Sequence, residues 1–140
     1  MSAEALLDSN VLLYAVSNHP SERKKREQAR ALLTSPGIGF STQVFSEFYD
    51  NATRKHEPRL THAQAVAILE PLRLLPVQPI TSDVLWDAFR LTHRFQLRFW
   101  DGAILAAARA LGCRIVWSED LNDGQQYDGV RVLDPFKAIH

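Results

Sequence analysis

Four acidic residues stand where the chain changes character. Asp8 closes the apolar run of "EALLDSN", and Glu47 lies within "VFSEFYDNA". Asp101 opens "DGAILAAARALG", and Asp120 follows "RIVWSE", with Asp123 further along the same segment. Carboxylates held a few ångströms apart repel and cannot all stay ionised without a counter-charge. An all-oxygen acidic group of this kind suits a hard divalent cation, Mg²⁺ or Mn²⁺. Zinc is a poor match. The five histidines (His19, His56, His62, His93 and His140) are scattered, and Cys113 is the only cysteine, which also excludes an internal disulfide.

Asp101 shows the tension between a structural and a chemical role. The run after it is apolar and helix-forming apart from Arg109, and Gly112 is a natural stop. At helical spacing Asp101 projects with Leu105 and Ala108, beside Ile104, on the face that should be buried. Asp is also among the best N-caps, and the stretch taken alone favours that role. Its neighbours elsewhere in the fold have to decide.

The elements that would bring these acids together can be read from periodicity. A short buried strand over Ala5–Leu7 breaks at Asp8, Ser9 and Asn10, and "VLLYAVS" then starts a helix. "HPSERKKREQARALL" reads as a second helix, and "GIGFST" as a strand that delivers Thr42 as a cap for "QVFSEFYDNATRK". Val44, Phe45, Phe48, Tyr49 and Ala52 form that helix's apolar arc, with Glu47 about 60° outside it. Thr61 and Gln64 have capping-box spacing ahead of "HAQAVAILEPL", which Pro71 interrupts. "LLPVQPI" suits an edge strand, "SDVLWDAFRLTHRF" a helix, and "RIVWSEDL" and "VRVLDP" the last two strands. Strands alternating with helices predict an α/β/α sandwich around a central, mostly parallel sheet. In such folds ligands gather beyond the carboxyl ends of the strands. Asp8, Glu47, Asp101, Asp120 and Asp123 all fall on that rim.

The bulk numbers set the frame. A chain of 140 residues, 46% hydrophobic and 23% charged, suits a single domain spanning residues 1–140. Sixteen basic residues balance sixteen acidic ones, so net charge argues neither for nor against a polyanionic partner. The apolar runs fall far short of a membrane span, and no secretory leader is evident at the N-terminus. A cytoplasmic location is expected.

"LLDSNVLLYA", "FSEFY" and "FWDGAILAAARALGCRIVWSEDL", in that order, resemble the PIN-domain signature over essentially the whole chain. A free-standing domain of this length is similar to the VapC-like toxins of bacterial and archaeal type II toxin–antitoxin pairs. The resemblance implies a Mg²⁺-dependent ribonuclease that leaves a 5′-phosphate and a 3′-hydroxyl. Carried over by position, it makes Asp8, Glu47, Asp101 and Asp120 the catalytic acids. Asp8, Asp101 and Asp120 become metal ligands, with Asp123 as a candidate for a second metal, and Mn²⁺ is a possible substitute for Mg²⁺. Asn10 and Ser118 take supporting polar positions. Because "SEDLNDG" offers Glu119, Asp120 and Asp123 together, Ser-x-Asp spacing is what selects Asp120. A homodimer and a small antitoxin that blocks the acidic site are also implied.

RNA approaching an acidic pocket needs basic residues around it. Arg23, Lys24, Lys25 and Arg26 form one candidate group, Arg54, Lys55 and Arg59 another, and Arg90, Arg94 and Arg98 a third at helical spacing. Each also reads as an ordinary solvated face. Trp100 and Trp117 are positioned to stack bases, although their apolar flanks favour a place in the core. A haloacid-dehalogenase-type phosphotransferase wants Asp-x-Asp after its first strand, whereas here Asn10 holds the third position. The competing class is a PIN-like module that binds RNA or protein without cutting.

Overall fold

The computed structural model describes residues 1–139; His140 lies outside them. Six strands form one sheet: β1 (Ala5–Leu7), β2 (Ile38–Ser41), β3 (Val77–Gln78), β4 (Ile115–Trp117), β5 (Gln126–Tyr127) and β6 (Val130–Leu133). Their spatial order is β3-β2-β1-β4-β6-β5. Every neighbouring pair is parallel except β5 with β6. Six helices flank this sheet: α1 (Ser9–Val16), α2 (Arg23–Leu33), α3 (Thr42–Arg54), α4 (His62–Leu69), α5 (Ser82–Phe95) and α6 (Phe99–Ala110). This is the expected α/β/α arrangement, with "LLPVQPI" supplying the β3 edge. Among the described residues no helix is long and apolar enough to cross a membrane.

The central strands are buried on both faces, as parallel pairing under helical cover requires. Leu6, Leu7, Phe40, Val116 and Val132 are fully buried. Helix α6 is the most enclosed helix. Its residues from Gly102 to Ala108 are all buried, and it packs along α5 and against β2, β3, β4 and β6. Small side chains permit that closeness. A Cβ on Gly102 would stand 2.9 Å from Ala88 O and would collide with Thr92 Oγ1.

Several local details differ from the sequence expectation. Ser41, not Thr42, caps α3, accepting the Val44 N–H at 3.2 Å; Thr42 is already in the helix. Helix α1 begins at Ser9, so Asn10 is helical rather than part of a turn. Helix α6 begins at Phe99, two positions before Asp101, with Arg98 at the N-cap making no side-chain capping bond. The "HPSERKK" segment opens as a 3₁₀ turn over Pro20–Glu22 before α2. In the α3 arc, Phe45 is half-buried and Tyr49 is exposed, its ring edge-on to His62. The β5–β6 hairpin was not anticipated. Its signal was present in Asp128-Gly129, which turns with φ of 48° and 93°, as a two-residue type I′ turn demands.

Candidate active site

Asp8 emerges from β1 and caps α1, with Oδ1 accepting the Ser9 N–H at 2.7 Å. Its other oxygen accepts the Ser118 hydroxyl at 2.7 Å. Parallel pairing of β1 with β4 makes this meeting possible, since Leu7 lies opposite Trp117 and both strands end at the same edge. Ser118 is fully buried, and its Oγ also receives the Asp120 N–H at 3.1 Å, folding the post-β4 turn back onto the strand end. Asn10, in the first turn of α1, directs Nδ2 toward Asp120 Oδ2 (3.2 Å), Ser118 Oγ (3.4 Å) and Asp8 Oδ2 (3.5 Å). One amide thus sits between two carboxylates.

Glu47 and Asp101 complete the group from α3 and α6. Glu47 is an exposed residue overall, yet its carboxyl leans toward the other acids and accepts Gln43 Nε2 at 3.1 Å. The same Gln43 Nε2 donates to Trp100 O at 3.0 Å, tying α3 to the start of α6. Asp101 is half-buried and accepts no hydrogen bond among the described residues. The capping role is therefore excluded. Asp101 stands in the first helical turn, where the aligned peptide dipoles favour a negative charge.

The charges of these acids act on one another. Burial pushes the Asp8 carboxyl up to about 7, opposed by the bonds from Ser118 and Ser9 and reinforced by the charges of Glu47 and Asp120. Glu47 is raised, first by burial and then by Asp101 and Asp120, while Gln43 and Arg98 work against the rise. Asp101 is likewise raised by burial, with Arg98 lowering and Asp120 raising it. Asp120 is thus the shared neighbour of the other three acids.

The remaining acids of "SEDLNDG" are drawn elsewhere. Glu119 accepts Tyr14 OH at 2.8 Å and Lys25 Nζ at 3.3 Å. Asp123 accepts the Asp134 N–H at 2.8 Å and pairs with Lys137 Nζ at 2.9 Å, and these partners hold its carboxyl below the usual range. The structure does not bring Asp123 into the acidic group, contrary to its expected place as a second-metal ligand. Asp120, the residue that Ser-x-Asp spacing points to, stays beside Asn10 and Ser118.

The basic candidates are mostly spent on other partners. Arg23 pairs with Glu27, Lys25 with Glu119, Arg54 with Asp50, and Arg94 with Asp128. Arg26 donates to Ser17 O. Lys24, Lys55 and Arg59 are exposed. The expected Arg90, Arg94 and Arg98 stripe is broken, because α5 ends at Phe95 and Gln96 turns left-handed at φ 54°. The charge of Arg98 instead acts on Asp101 and Glu47. Trp117 is half-buried against the core as expected, but Trp100 is 52% exposed.

Asp8, Asp101 and Asp120 present carboxylate oxygens at this edge, the donor type that a hard cation takes. Among the described residues no three His, Cys, Asp or Glu side chains close on a single point. Carboxylate oxygens suit Mg²⁺, a hydrated ion that takes one or two of them and keeps several waters. Asn10 Oδ1 is buried without a protein partner, leaving an acceptor for a water of such a hydrated ion.

A parallel sheet of this order with clustered acids beyond β1 and β4 defines a class. Residues 5–126 match the model of the PIN domain, and the chain belongs to the PIN-domain family. Its fold is similar to that in a toxin–antitoxin complex from Klebsiella pneumoniae (20% identity, 94% of this chain and 97% of that one, TM-score 0.66). It is also similar to VapC20 of Mycobacterium tuberculosis, a sarcin–ricin-loop-cleaving toxin (20% identity, 83% and 91%, TM-score 0.64). A third similar structure is FitAcB from Neisseria gonorrhoeae (18% identity, 95% and 99%, TM-score 0.63). A comparison with curated proteins finds no match.

Proposed function

We propose that this protein is a Mg²⁺-dependent endoribonuclease, the toxin of a toxin–antitoxin pair. The observation that carries the reading is the convergence of Asp8, Glu47, Asp101 and Asp120 from four separate elements onto one sheet edge. Family membership supports a nuclease, and the fold's likeness to toxin–antitoxin structures supports the toxin assignment. Asp8, Asp101 and Asp120 would hold the metal. When bound, Mg²⁺ supplies Lewis-acid polarisation of the phosphate and a lowered pKa for coordinated water.

The chain's own residues do the positioning. Ser118 and Ser9 orient the two oxygens of Asp8, and Asn10 spaces Asp8 from Asp120. Such supporting bonds fix ligand orientation. Arg98 partly offsets the charge of Asp101 and Glu47, easing the approach of an anionic phosphodiester. The acids also suit inhibition by an antitoxin that inserts an Arg, whose planar fork matches carboxylates and keeps its charge. A homodimer and a cytoplasmic location belong to the same reading.

The test is cleavage of RNA with Mg²⁺ and with EDTA, using wild type and Asp8→Asn. Cleavage by wild type with Mg²⁺ alone is the expected result. Metal-independent RNA binding with no cleavage would replace this reading with a non-cleaving binding module.

A further inference from the structure

We propose that the cavity beside Trp100 receives the nucleobase adjoining the cleaved phosphate and favours one rich in N–H donors, guanine above uracil. The inference rests on the nuclease reading, because it takes the acidic group as the place of the phosphate. The cavity, of about 380 Å³, lies between α3 and the start of α6 and is lined by Thr42, Ser46, Glu47, Asp50, Ile80 and Trp100, with Gln43 in its wall. Glu47 belongs both to this cavity and to the acidic group. Trp100 directly precedes Asp101. The neighbouring nucleotide therefore meets this cavity when the phosphate reaches the acids.

The Trp100 indole is both available and held. It is 52% exposed, and Phe99 packs edge-on to it at 4.9 Å and 72°. The bond from Gln43 to Trp100 O anchors the backbone beneath the ring. A fixed, exposed aromatic face is the usual platform for an unpaired base. Ile80, 38% exposed, adds apolar surface.

The polar lining selects the edge of the base. The Glu47 carboxylate accepts hydrogen bonds only, whereas Asp50 has both oxygens engaged by Arg54 at 2.7 and 2.9 Å. Ser46 spends its hydroxyl proton on Thr42 O at 2.8 Å and offers lone pairs. The Nε2 group of Gln43 is committed to Glu47 and Trp100. Arg54 holds Asp50 from outside the lining, and the Glu47 carboxylate disfavours a phosphate in the cavity itself. Guanine presents an N1–H and an amino group on one edge, whereas uracil presents one N–H between two carbonyls.

The experiment uses the pentamers UUGUU and UUUUU as probes. Wild type should cleave next to guanine with the lower KM. Trp100→Ala should raise KM for UUGUU roughly 5- to 100-fold, the range expected from losing one stacked base, with a smaller change in kcat. Trp100→Phe should recover most of that loss, and both variants should melt like wild type. In EDTA, UUGUU should quench the tryptophan fluorescence of Asp8→Asn protein, and Trp100→Phe should abolish that quench while Trp86→Phe keeps it. Unchanged KM and base preference in a cleaving Trp100→Ala variant would overturn the subsite and leave the nuclease reading standing. Quenching at Trp100 without cleavage by wild type would keep the subsite and overturn the nuclease reading. Neither quenching nor cleavage overturns both. Normal RNA handling by Trp100→Ala, with a dimer becoming monomer in sedimentation, would assign the ring to a protein contact and reject the subsite.

Discussion

The Ser118 hydroxyl donates to Asp8 Oδ2 at 2.7 Å, joining the ends of β4 and β1 across 110 positions of sequence. That single oxygen also receives the Asp120 N–H and lies 3.4 Å from Asn10 Nδ2, so three components of the acidic group converge on it. Ser118→Ala leaves the Asp120 N–H without its acceptor and Asp8 Oδ2 with only the 3.5 Å bond from Asn10. A buried group stripped of its hydrogen bond costs about 1–3 kcal/mol. We expect a lower melting temperature together with a 10- to 100-fold loss of metal affinity or activity, roughly the effect of removing a ligand's supporting bond. Calorimetric Mg²⁺ titration beside thermal melts measures both. Unchanged metal affinity in a stably folded variant would rule out the supporting role.

The raised Asp8 carboxyl makes metal-free stability depend on pH. Its folded value of about 7 lies above the ordinary 3.8, so between these limits the folded chain binds more protons than the unfolded one. Stability of the metal-free protein should therefore fall as pH rises from about 4 to about 7 and level off above that. Burial of Glu47 and Asp101 raises both carboxyls and adds to the same slope. Asp8→Asn should flatten the curve and raise stability at pH 8. Urea unfolding in EDTA at several pH values reads this directly. A stability maximum at pH 8 would contradict it.

Asp101→Asn separates helix stability from metal chemistry. Asp101 makes no capping bond, so the change costs at most its favourable place near the helix dipole, about 0.3–1 kcal/mol. Relief of repulsion from Asp120 acts in the opposite direction. Metal-free melting should move little, whereas the Mg²⁺-induced rise in Tm should shrink and cleavage should fall by about two orders of magnitude or more. Full cleavage with an intact Mg²⁺ shift would remove Asp101 from the metal site.

Gly102→Ala tests the contact that seats α6. Alanine favours a helix over glycine by about 1 kcal/mol, so an open site would gain stability. Here the added methyl meets Ala88 O at 2.9 Å and collides with Thr92 Oγ1, both on α5. Overpacking of this kind costs about 1–3 kcal/mol. Net destabilisation is expected, and activity should fall with it because Asp101 is the preceding residue. A more stable Gly102→Ala protein would show that α5 and α6 separate easily.

Much of this protein is legible in its sequence because much of it is local. The apolar run before Asp8, the Thr61–Gln64 capping box and the Gly112 stop each depend on residues a few positions apart, and all three hold. Alternation of strands with helices was enough to place Asp8, Glu47, Asp101 and Asp120 on one rim, since parallel strands all end on the same side. Other features needed distant partners. Nothing near Asp123 announces that Lys137 and the Asp134 N–H will take its carboxylate, or near Glu119 that Tyr14 and Lys25 will take that one. Asp101 lost its capping role because α6 starts two residues earlier. Backbone pattern follows from short-range sterics and hydrophobic period. The choice among competing carboxylates follows from charges and donors that only the folded chain brings within reach.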